Sequence, residues 1–198
     1  MRRRSILLAP LVLAVPAAQA QTPPRRIRGK IASLDGRTLV VTTREGPNLT
    51  ITLAENLVVT EVTKLELDAI QPNAFVGVAS IHRGDQDIAL EVLVFPEAAR
   101  GSGEGSYPWD LTPESTMTNA TVATVEKSAT GRTLALTYKD GKRSIMVPPE
   151  APIVTFTPAD RSLLVAGAPV FLGAAVAADG SLSAGRIVTG RNGLAPPM

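Results

Sequence analysis

The sequence predicts an all-β protein: two tandem five-stranded small barrels of the OB type, or of the SH3-like type, joined by an ordered connector. Three observations predict it. Short alternations of apolar and polar residues recur along the chain, punctuated by Gly, Asp and Asn turn signals. The pattern then repeats: Gly36-Arg37-Thr38-Leu39 returns as Gly131-Arg132-Thr133-Leu134, an offset of 95. Finally, so many short strands in units of about 70 residues need closure, because an open sheet of that size leaves unpaired edges.

The elements follow in order. Arg2, Arg3 and Arg4 precede an apolar run over 6–15, and Ala18-Gln19-Ala20 is a small-x-small cleavage site. Residues 1–20 therefore predict a signal peptide, with the mature chain starting at Gln21. In the first barrel module, 21–98, Arg26, Arg28 and Lys30 alternate with Ile27 and Ile31, a half-buried strand with a basic outer face. Asp35-Gly36 is a hairpin turn, and Leu39 and Val41 mark the second strand. Glu45-Gly46-Pro47-Asn48 turns into a third strand carrying Leu49, Ile51 and Leu53. A short extended piece spans 58–60. Residues 62–70 form the helical candidate, with Val62, Leu65 and Ala69 on one face. Strands over 75–81 and 88–95 are joined by Arg83-Gly84-Asp85.

Residues 99–117 are the connector, 118–190 the second barrel module and 191–198 a disordered tail. The second module echoes the first. Gly46 returns as Gly141, Val59-Thr60 as Val154-Thr155, and Ile51 and Leu53 as Ile145 and Val147 with one residue less in the turn.

Composition excludes several function classes. The first twenty residues hold three Arg and no acid, which leaves 17 basic against 18 acidic residues in the rest. A near-neutral, aromatic-poor chain gives no electrostatic case for nucleic acid. The absence of Cys removes disulfides, thiolate zinc sites, a thiol nucleophile and a lipid-anchored cysteine. No apolar run reaches the roughly 18–20 residues a spanning helix needs. These features predict a periplasmic or secreted bacterial protein, soluble after signal cleavage, with no membrane span.

Catalytic and metal motifs are equally sparse. The single histidine, His82, lies beside Asp85 and Asp87 at a strand end and reads as an exposed turn residue, since no nucleophile motif accompanies it. Asp85 and Asp87, two apart, lack a third clustered ligand for a hard cation. The glycines of 101–105 lack the following Lys of a phosphate-binding loop. The reading is non-enzymatic, with no catalytic residue, no metal site and no cofactor.

The connector carries the rare side chains. The only Trp, Trp109, and one of two Tyr, Tyr107, stand there with Arg100, Glu104 and Asp110. Asn119 follows at the entry to the second module, where its amide is placed to pin the chain. Aromatics with a polar handle serve recognition surfaces; the same side chains also suit a wedge between two barrels. Arg100, Glu104, Tyr107, Trp109, Asp110 and Asn119 are the candidate surface for a small ligand or an envelope protein partner.

The segments over 101–111 and 115–122, set between two small-barrel repeats, resemble a bacterial exported family of unknown function with duplicated OB-like barrels. The resemblance implies export and the paired-barrel architecture, and it carries no catalytic residues to transfer. The function expected is a periplasmic binding or protein-interaction module. The alternative is an accessory protein that handles a small ligand or hard metal ion for an envelope transporter.

Overall fold

Period-two alternation becomes twelve β-strands in the computed structural model, which describes residues 23–197. The predicted signal peptide and the start at Gln21 lie outside the described residues. The strands are β1 (Arg25–Asp35), β2 (Thr38–Thr43), β3 (Asn48–Lys64), β4 (Phe75–Arg83), β5 (Gln86–Val94) and β6 (Gly105–Pro108). They continue as β7 (Thr116–Ser128), β8 (Gly131–Tyr138), β9 (Gly141–Val147), β10 (Ile153–Ala159), β11 (Pro169–Val176) and β12 (Leu182–Gly190). Helix is confined to 3-10 turns at Leu67–Ala69, Glu97–Ala99 and Arg161–Leu163. Among the described residues no helix is long and apolar enough to cross a membrane.

Five strands close a barrel in the order β12-β11-β1-β2-β3. Its closing seam is parallel, β3 against β12, with Ile51 opposite Leu182 and Val62 opposite Gly190. Ile27, Ile31, Leu39, Ile51, Leu172 and Ile187 fill the interior and are almost wholly buried. Alternation explains why: on each strand these residues share one face, and closure turns that face inward.

Five more strands pair as β5-β4-β7-β8-β9, and a short parallel contact links β9 back to β5 at Asp87–Ile145 and Ile88–Met146; β10 bridges β3 and β5, and β6 lies on β7. Val76, Val92, Val122, Leu134, Leu136 and Ile145 form the core of this second circuit. Arg143 on β9 donates two hydrogen bonds to Asp87 on β5, at 2.6 and 3.1 Å, and so reinforces the closing contact. Asp87→Asn is expected to lower stability by about 1–2 kcal/mol, the scale of a charge-assisted hydrogen bond that is partly open to water. Urea melts at neutral pH measure it.

The expected tandem order is not what the strands adopt. The first barrel takes β1–β3 from the predicted first module and β11–β12 from the predicted second. The circuit β4, β5, β7, β8, β9 lies between them in sequence, spanning 75–147. Alternation specifies which face of a strand is buried; it does not specify which strand lies alongside.

Two local expectations are also corrected. The helical candidate over 62–70 is extended up to Lys64, because Val62 and Thr63 pair with Phe156 and Thr155 of β10. Only Leu67–Ala69 keeps a helical turn. β-Branched Val59, Thr60, Val62 and Thr63 favour the pleated surface, and the available partner strand decides the outcome. As a result the third strand and the extended piece at 58–60 merge into one 17-residue strand, β3. In the second module Pro148-Pro149 interrupts the equivalent stretch, so β9 and β10 stay separate.

Candidate functional site: an aromatic cleft beneath the connector

The connector is ordered by its own short-range bonds. The Ser115 hydroxyl donates to the Thr112 carbonyl at 2.7 Å, with the Trp109 carbonyl 3.1 Å away, and the backbone N–H of Trp109 donates to the Ser115 carbonyl. β6 then lies antiparallel on β7, with Tyr107 opposite Met117 and Gly105 opposite Asn119. The Asn119 amide donates to the Ser102 carbonyl at 3.1 Å and to the Tyr107 hydroxyl at 3.2 Å. Asn119 therefore ties the connector to the strand that follows it.

This lay-down covers a cleft of about 210 Å³ between the first barrel and the outer face of the second circuit. Five of the seven aromatic side chains line it: Phe95, Tyr107, Trp109, Phe156 and Phe171. Their rings meet at tilted or edge-on angles, Trp109 with Tyr107 at 6.1 Å and with Phe171 at 6.5 Å between centroids. Gly77 forms part of the floor, where a Cβ would lie 2.6 Å from Asn119 Oδ1 and 3.1 Å from Phe95. Only a residue without a side chain leaves that space to its neighbours.

Two polar atoms of the lining are buried without a hydrogen-bond partner among the described residues: Trp109 Nε1 and Asn119 Oδ1. One is a donor and one an acceptor. Each such group costs roughly 1–3 kcal/mol while unpaired, and neither atom has appreciable exposed surface.

Charge gathers at the edge of this cleft. Arg26 stacks over the Trp109 ring with its guanidinium carbon 3.9 Å from the centroid. Arg28 reaches Asp110 at 2.8 Å and lies 5.0 Å from the Phe171 centroid. Partial burial pushes the Asp110 carboxyl up, but the hydrogen bond from Arg28 and the charges of Arg28 and Arg26 outweigh it and hold the group below its ordinary range. Arg28 was expected on a solvated outer face. It is 9% exposed, because the outside of the first barrel is here the inside of the junction.

Glu91 belongs to the same face. It pairs with Ala79, Ala79 with Met117, and Met117 with Tyr107, and directly opposed residues project to one side of a sheet. Glu91 is 1% exposed and neither carboxyl oxygen has a hydrogen-bond partner among the described residues. Burial pushes its carboxyl well above the usual range, against the pull of Arg28. Burial therefore favours the protonated acid more strongly than water does.

The structure therefore brings Tyr107, Trp109 and Asn119 together in one cleft and sets Asp110 at its edge. Arg100 and Glu104 serve elsewhere. Arg100 pairs with Glu97 and donates to the Asn73 carbonyl, and Glu104 accepts the Lys139 N–H. Sequence reasoning missed Phe95, Phe156, Phe171 and Arg186, which are scattered singly along the chain. It also placed Arg28 in solvent.

Other candidates are less equipped. His82 is 70% exposed, and its Nδ1 lies 3.0 Å from Asp87 Oδ1. Asp87 is already committed to Arg143, which leaves Asp85 without it as a cation partner. Partial burial pushes the Asp87 carboxyl up, but hydrogen bonds from His82 and Arg143 prevail and keep it low. No three acidic or histidine side chains gather around a metal-sized site among the described residues. A larger hollow, about 620 Å³, lies beside Lys30, Thr42 and Pro196, but no aromatic side chain lines it. Comparison with known proteins adds nothing to this geometry: no family model, curated protein or solved structure matches the chain.

Proposed function

We propose that the protein is a non-enzymatic binding module of the bacterial envelope, periplasmic or secreted, whose ligand enters the cleft between its two strand circuits. In this reading the second circuit is itself a small barrel of the predicted OB-like kind, and the chain is a duplication. Equivalent seams support the duplication: Asp87–Ile145 in one circuit corresponds, at the repeat offset, to Leu182–Ile51 in the other. One observation carries the functional reading. A chain with few aromatics places most of them around one cleft, together with an unpaired donor and an unpaired acceptor. A purely structural interface would bury those rings with their polar atoms satisfied.

Trp109 is the only Trp, so its emission reports on this cleft alone. Benzyl alcohol, a neutral aromatic probe of one ring, is expected to change that emission saturably and to raise the melting temperature as occupancy grows. A titration in which neither responds up to the probe's solubility overturns the cleft as a binding site.

A further inference from the structure

We propose that the cleft selects a small planar aromatic carboxylate, with its ring held among Trp109, Phe156 and Phe171 and its carboxylate taken by Arg186. The inference rests on the binding reading above and narrows it to a ligand class.

Size sets the first limit. Drug-sized ligands occupy roughly 300–1,000 Å³, whereas an apolar cavity of about 150 Å³ holds benzene. A cleft of about 210 Å³ takes one ring and one small substituent. Shape sets the second. The walls are ring faces and edges, with Leu93, Met117 and Val188 between them. A flat aromatic body gains offset or edge contacts worth about 0.5–1.5 kcal/mol beyond its buried area, which an aliphatic chain of equal volume does not.

Charge sets the third. Arg186 lines the cleft from β12, on an exposed stretch of the strand. Its guanidinium makes no ion pair, hydrogen bond or ring contact with any described residue. Two acids on this side of the sheet are held by other groups or by burial. Asp110 is engaged by Arg28 and Arg26, and the Glu91 carboxyl is buried. The lining therefore combines apolar side chains with a guanidinium that no described acid pairs. A guanidinium takes a carboxylate through two parallel N–H···O bonds, a geometry an ammonium cannot match. The unpaired Trp109 Nε1 and Asn119 Oδ1 belong to residues of the same lining and are themselves buried.

The test uses the full mature chain, Trp109 emission and three isosteric probes: benzoate, benzyl alcohol and benzylamine. Benzoate is expected to bind at least tenfold more tightly than benzyl alcohol, and benzylamine to be weakest. Arg186→Gln is expected to bring benzoate affinity down to that of benzyl alcohol measured on the same variant. Arg186→Lys restores part of the difference. Arg186 is exposed, so the variants keep the fold, and an unchanged melting temperature without ligand verifies it. Equal binding of benzoate and benzyl alcohol overturns the carboxylate assignment and leaves the cleft standing. Preference for benzylamine does the same. Full benzoate selectivity in Arg186→Gln overturns the role of Arg186. Failure of all three probes removes both the ligand class and the binding site.

Discussion

A fragment covering 70–153 is expected to fold by itself, whereas fragments 21–98 and 117–198 are expected to remain unfolded as monomers. The first contains every strand of the second circuit and its interior, from Ile70 through Ile145 to Ile153. The other two cut both circuits. Residues 21–98 keep Ile27, Ile31, Leu39 and Ile51 but lose Val170, Leu172, Ala174 and Ile187, which pack against them. Each large apolar side chain left uncovered forfeits about 1.5–3 kcal/mol. Several of them together exceed the roughly 5–15 kcal/mol that holds a whole domain. Circular dichroism and sedimentation of the three fragments check this. Cooperative melting of a monomeric 21–98 fragment, or an unfolded 70–153 fragment, would contradict the strand assignment.

Replacing Glu91 by Met is expected to stabilise the protein at pH 8 by about 1–3 kcal/mol, an unusual direction for a buried substitution. The wild-type carboxyl is buried without a hydrogen bond, and its volume is close to that of Met. The sign with pH follows from its raised pKa. Between the unfolded value, about 4.3, and the raised folded value, the native state holds a proton that the unfolded state has released. Stability of the wild type therefore falls as pH rises through that window. The variant lacks this loss, so its advantage should be largest at pH 8 and shrink towards pH 4. Asp87 and Asp110 act in the opposite sense. Their carboxyls are held low, so they stabilise above about pH 4 and release that stability under acid in both proteins. Urea unfolding at pH 5 and pH 8 measures the difference. A Glu91→Met chain destabilised equally at both values would show that Glu91 is structurally required rather than strained.

The strands were legible because alternation and turn chemistry are local. Asp35-Gly36, with Gly36 at positive φ, closes the β1–β2 hairpin that the dipeptide predicts. Ile51 and Leu53 are buried on the face that alternation assigns. What was not legible is long-range. Nothing local in Ile51 names Leu182 as its neighbour, and nothing in Val62 says that Phe156 will lie beside it. The candidate site divides in the same way. Tyr107, Trp109 and Asn119 stood out by rarity and proximity in sequence. Phe95, Phe156, Phe171 and Arg186 enter the cleft from three separate segments, β10, β11 and β12, and from the end of β5, so only the assembled sheet brings them together. Arg28 shows the sharpest failure. Its outward position on β1 was read correctly, but outward there leads to a second structure rather than to water.

The paired strands β3 and β10, running antiparallel from Val59–Ala159 to Lys64–Val154, also set an order of events. They enclose the segment 75–147 as a neck encloses a flask. Contacts inside that segment are closer in sequence than the seam joining Ile51 to Leu182, so the segment pays the smaller loop-closure cost and forms early. The outer barrel closes across the whole of that segment and so carries the larger loop-closure cost. Under tension the sequence reverses. A pull applied at β1 and β12 loads the outer barrel first and then the neck. The enclosed circuit feels force only when both have opened, which makes the middle of this chain its mechanically sheltered part.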